Sequence, residues 1–139
     1  KEKYIMKNFT FLLLISLFTF GCMNMEKVDS SRVFFANLKD GQTVKSPLKI
    51  QFGIEGMKVI PAGKLEKGTG HHHLIIDGKP VATGKVVPAD KTHIHYGKGQ
   101  TEDTVELSKG KHTLTLQFAD GAHRSYGEKL RAVITVTVE

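Results

Sequence analysis

Cysteine is nearly absent from this chain: Cys22 is the only one. A framework of disulfides needs pairs, so no internal bridge holds this fold, and thiolate metal clusters and cysteine nucleophiles are excluded from its body. Tryptophan is missing altogether, and Lys and Arg, though in excess for a net charge of +6, are scattered and form no stripe. A nucleic-acid partner is therefore not expected; a scattered positive balance reads as a solvated surface. No segment carries an amphipathic helical period of useful length. No G-x-S-x-G elbow appears, and Gly97-Lys98-Gly99 is too short for a phosphate loop.

The longest apolar run, Phe9 to Phe20, is broken only by Thr10, Ser16 and Thr19. At about 12 residues it is too short to span a bilayer as a helix, but it has the length of a signal-peptide hydrophobic region. Met6-Lys7-Asn8 ahead of it reads as a start with a basic region, and Gly21-Cys22 closes it. A small residue followed by Cys at that place reads as a lipoprotein cleavage site, although Thr19 and Phe20 depart from the commoner pattern. The expectation is a signal peptide over residues 1–21, lipidation at Cys22, and a polar tether over 22–32 leading to a domain over 33–139. That places the protein in the cell envelope, held by its lipid on the periplasmic or outer-membrane face.

From Val33 onward the pattern has period two. Leu48, Ile50, Phe52 and Ile54 alternate with Lys49, Gln51, Gly53 and Glu55. Leu114, Leu116 and Phe118 alternate with Thr113, Thr115 and Gln117, and Ala132, Ile134, Val136 and Val138 share one face of a last strand. Shorter strands are expected at Val33–Ala36, His72–Ile76, His93–Tyr96 and Thr104–Leu107, with a weak edge strand over Val81–Val87 between Pro80 and Pro88. Asp40-Gly41, Asp77-Gly78 and Asp120-Gly121 mark turns, and Met57–Thr69 reads as a loop. About seven short strands spaced by turns predict an all-β protein, a single antiparallel β-sandwich. The immunoglobulin-like arrangement is the first choice, with the last three strands as sequential hairpin neighbours. It rests on strand count and spacing, since the immunoglobulin Cys and Trp marks are absent.

Histidines concentrate in Gly70-His71-His72-His73-Leu74 and Thr92-His93-Ile94-His95-Tyr96. Strand side chains alternate, so His71 and His73 share a face, His93 and His95 share a face, and His72 leaves the opposite side with Leu74 and Ile76. Residues i and i+2 lie about 6.6 Å apart along a strand, within reach of imidazoles converging on one ion with bonds of about 2.0–2.1 Å. The expected metal ligands are His71, His73, His93 and His95, with His123 of the last long connection as an additional ligand or, with Arg124, part of an anion site. An all-nitrogen set favours Zn or Cu(II) over Ca or Mg. Asp77 is a candidate to fix a ring tautomer from behind, and Met57 a candidate soft ligand. His112, at the start of a strand, is expected to bond the preceding turn.

Several motifs occur in one order: Phe35-Ala36-Asn37-Leu38-Lys39-Asp40-Gly41, Gly70-His71-His72-His73-Leu74, Thr92 to Thr101, Gly110-Lys111-His112-Thr113-Leu114 and Phe118 to Ser125. Together they resemble a family of bacterial exported lipoproteins, domain of unknown function 4399, across essentially all of residues 33–139. The resemblance implies an exported envelope protein and no established activity.

Two function classes follow. One is an envelope lipoprotein whose sandwich binds copper or zinc, for storage, delivery or buffering. The other is a sandwich without metal that binds another envelope protein or a glycan. They differ in whether the histidines converge. A metal enzyme would further need an open coordination position and an acid or base such as Asp77, Asp120 or Glu102. No residue is assigned a catalytic role.

Overall fold

Alternation dictates the core. In the strand Leu48–Glu55, Leu48, Ile50 and Phe52 are buried while Lys49 and Glu55 are exposed. A computed structural model describes residues 30–139, so the expected signal peptide, Cys22 and most of the tether lie outside the described residues. The strands are β1 (Arg32–Phe35), β2 (Gln42–Val44), β3 (Leu48–Glu55), β4 (Lys58–Val59), β5 (Thr69–Ile76), β6 (His93–His95), β7 (Glu102–Val105), β8 (Gly110–Ala119) and β9 (Arg131–Val138). A 3-10 turn, Gly127–Leu130, precedes β9. No described helix is long and apolar enough to cross a membrane.

The strands make two sheets, β1-β3-β7 and β2-β9-β8-β5-β4, with β6 also pairing with β5. Ile50, Phe52, Leu74, Leu114, Leu116 and Val136 fill the space between them, with Ile134 partly buried against them. This is the expected all-β sandwich. Two short pairings, β2 with β9 and β4 with β5, are parallel rather than antiparallel.

The strand expected at Thr104–Leu107 runs from Glu102 to Val105 and joins β3 in the smaller sheet, so the last three strands are not successive hairpins. Val105 pairs with Leu48, Glu102 bonds Lys49 at 3.0 Å, and Asp103 accepts from Tyr96 Oη at 2.8 Å. These contacts, set by residues distant in sequence, draw the segment across the sandwich.

The larger sheet is covered on its outer face as well. Thr115, Gln117 and Ala119 of β8 are buried although they alternate with the core residues. Gln117 Nε2 donates to the carbonyls of Gly127 (3.0 Å) and Leu130 (3.3 Å), beneath the 3-10 turn. The segment 81–87 is not the expected edge strand. It is tied to the β8–β9 connection instead: Ser125 N donates to Lys85 O (2.9 Å), Gly84 N to Ser125 O (2.8 Å) and Val87 N to His123 O (2.9 Å). Pro80 and Pro88 bracket it and limit it to these few rungs.

Candidate metal centre

Strand β5 carries the sequence Thr-Gly-His-His-His-Leu-Ile-Ile. Its inner face presents His72 and Leu74 to the core, and His72 packs on Phe52 (centroids 5.4 Å) and Phe118 (5.0 Å). Its outer face presents His71, His73 and Ile75. Strand β6 pairs beside it with His73 opposite His95 and Ile75 opposite His93. Directly opposed residues share a face, so all four expected ligands lie on the outer side. The register separates them along it. His95 sits beside the His71–His73 pair, and His93 lies one step beyond.

His93 is engaged elsewhere. Its Nδ1–H donates to Asp90 Oδ1 at 2.8 Å, and the same oxygen accepts from Thr92 N and His93 N. These bonds, that of His93 foremost, hold the Asp90 carboxyl well below the usual carboxylate range. The loop before β6 is thereby closed, with His93 as part of the closure.

The fourth imidazole comes from His123. The turn Asp120–His123 is closed by His123 N donating to Asp120 O (2.8 Å), and Asp120 N donates to Arg124 O (3.0 Å). Asp120 Oδ1 accepts from the backbone N–H groups of Ala122 (2.8 Å) and Arg124 (2.9 Å), and Oδ2 accepts from Arg124 Nε (2.9 Å). His123 has φ 62°, a left-handed conformation that glycine or asparagine adopts with less strain. Arg124 Nε is thus held by Asp120 rather than turned to His123.

The Nε2 atoms meet in a chain: His73 to His71 at 3.1 Å, His71 to His95 at 3.2 Å, and His95 to His123 at 3.1 Å. Gly97 makes room for this, since a side chain there would overlap the His95 ring. An imidazole nitrogen has one in-plane position, holding either a proton or a lone pair. Four nitrogens in a chain of three contacts can therefore form at most two hydrogen bonds, and the third contact has no hydrogen bond to make. A cation accepting the lone pairs removes that conflict. Two nitrogens bound to one ion at about 2.0–2.1 Å in tetrahedral geometry stand roughly 3.3 Å apart, close to the observed spacing. His71, His95 and His123 form the group whose ligand atoms all lie within 4.8 Å of one another.

Burial favours the neutral form of His71, His73 and His95. It lowers His71 to about 4, with help from His95 and His123, and His73 to about 3, with help from His71, His95 and His123. His95 is lowered by burial and by His123. Neutral imidazole is the ligand form, so proton competition at His71 sets in well below the ordinary value near 6.5.

The family model described as "Domain of unknown function (DUF4399)" matches residues 50–139. The chain belongs to the DUF4399 family. No curated protein and no solved structure matches it. The matched residues contain every histidine of the cluster but not β1, β2 or the motif at 35–41.

Other polar groups of this DUF4399 domain serve the fold. His112 bonds the preceding turn as expected: its Nδ1 meets Asp77 Oδ2 at 2.7 Å and its Nε2 lies 2.9 Å from Ser108 O. The Asp77 bond, with Ser108, raises the His112 pKa above its ordinary value. Asp77 is consequently bound to His112 and Thr113 rather than standing behind the metal ligands. Among the described residues, Nδ1 of His71 and of His73 has no protein partner. Met57 lines a separate pocket with Tyr126, Lys67 and Leu130. Glu102 lies in the smaller sheet, bonded to Lys49 and Gln51.

Proposed function

We propose that this DUF4399 protein is a cell-envelope lipoprotein whose sandwich binds one transition-metal ion, copper or zinc, for storage, delivery or buffering. The chain of three Nε2–Nε2 contacts at 3.1–3.2 Å carries the reading. The ligands are His71, His95 and His123, with His73 against His71; His93 is not among them. Nitrogen-only donors match Zn(II) and Cu(II), and the absence of a second cysteine excludes a thiolate-based site.

Location supports this use. Buried His71 and His73 form the floor while exposed His95 forms the rim, so an ion reaches the site without unfolding the sandwich. A site at the surface, held near a membrane through lipidated Cys22, suits exchange with envelope partners. Elemental analysis of protein made without a histidine tag tests the metal: about one copper or zinc per chain supports the reading, and a metal content near zero after growth with both metals opposes it. Replacing Cys22 by Ser is expected to move the protein from the membrane fraction to the soluble fraction. A Cys22→Ser variant that stays with the membrane opposes the lipid anchor.

A further inference from the structure

The four imidazoles are not equivalent. Of the six ring pairs, five have centroids 4.6–5.0 Å apart, whereas His73 and His123 stand 6.0 Å apart. His71, His95 and His123 form the close group; His73 stacks on His95 (centroids 5.0 Å), and its Nε2 contact is with His71 Nε2 at 3.1 Å. His73 is 1 % exposed. Once His71 Nε2 donates its lone pair to a metal, it has nothing left for His73. The buried His73 Nε2 then faces the coordination sphere with no protein partner among the described residues.

A buried polar nitrogen without a partner is unfavourable, and a ligand that hydrogen-bonds to it relieves that cost. Three protein nitrogens also leave a four-coordinate ion one position short, and that is the arrangement which admits water or another small ligand. We propose that the metal held by His71, His95 and His123 keeps one coordination position for an exogenous ligand, water or a small anion, which hydrogen-bonds to His73. This rests on the metal-binding reading above. The site is then a receptor for small anions at a metal rather than a closed four-histidine cage. The exposed His95 marks the side from which such a ligand enters.

Azide is a suitable probe, because it produces a new charge-transfer absorption when it binds Cu(II). The 139-residue chain, held in detergent and loaded with Cu(II), is titrated with azide. A saturable new band is expected. His73→Ala is expected to retain copper affinity within about tenfold of the parent and to weaken azide binding by about tenfold or more. If circular dichroism shows that His73→Ala does not fold, His73→Asn takes its place. Copper bound with no spectral response to azide overturns the inference alone and leaves metal binding standing. A loss of copper affinity beyond about tenfold in a folded His73 variant makes His73 a fourth ligand and also overturns it. So does azide binding that is unchanged in that variant. A chain that takes up no copper overturns the metal reading and this inference together.

Discussion

His123→Gly separates a ligand from a structural residue. His123 occupies a left-handed position, φ 62°, in a turn already closed by Asp120 and by two backbone bonds. Relief of that strain is worth about 1–2 kcal/mol for a residue with a side chain. The extra freedom of glycine in the unfolded chain returns about 0.4–1 kcal/mol of it. The metal-free variant is therefore expected to match the parent or to gain up to about 1.5 kcal/mol in a urea titration followed by circular dichroism. Metal affinity should move the other way. Structural zinc sites of four ligands bind with about 10–16 kcal/mol, which shared equally is about 2.5–4 kcal/mol per ligand. His123→Gly is then expected to weaken Zn(II) or Cu(II) by roughly a hundredfold or more, read by calorimetry. A variant that loses more than about 1 kcal/mol without metal, or that binds metal as the parent does, refutes the assignment of His123 as a strained ligand.

Other outcomes follow from the same geometry. Leu116→Ala removes a fully buried side chain between the sheets and is expected to cost about 2–5 kcal/mol in chemical denaturation; a loss under about 0.5 kcal/mol places Leu116 outside the core. His93→Ala is expected to leave metal affinity within about tenfold of the parent, whereas His95→Ala lowers it well beyond that; equal losses would return His93 to the ligand set. Stability of the metal-free protein is expected to fall on acidification from about pH 6.5 toward pH 4, because His71 and His73 have pKa values of about 4 and about 3 and the unfolded chain binds more protons over that window. His112 acts in the opposite sense. Its raised pKa supplies stability below about pH 6.5 that is lost as pH rises through the folded value, so His112→Asn removes an alkaline, not an acid, loss. Denaturation midpoints followed from about pH 4 upward through the raised folded pKa of His112 check both.

Much of this was legible in period-two patterning. Leu48 to Ile54, Leu114 to Phe118 and Ala132 to Val138 place their faces correctly because each face of a strand meets one environment. The opposite facing of His72 and its neighbours followed from the same rule. Register did not, because nothing local fixes which residue of β6 stands beside His73; one step along the ladder exchanges His93 for a place beside Ile75. The Asp90 bonds that hold His93 and the Asp77 bond to His112 are long-range or loop contacts of the same kind. His123 was visible only as a loop histidine after Asp-Gly; its approach depends on the turn that Asp120 ties and on the covering segment 81–87. The buried outer face of β8 was hidden for a related reason. Thr115 and Gln117 read as solvent-facing, and only the fold shows the connections that cover them.

The central claim is that the histidines converge to bind a metal, and calorimetric titration of the metal-free protein with Zn(II) and Cu(II) tests it most directly. One ion per chain is expected, tighter than about 10 μM, which is about 7 kcal/mol. The affinity should be lost in His71→Ala and retained in His93→Ala. No binding tighter than about 10 μM for either ion would contradict the claim and leave the partner-binding sandwich as the better account.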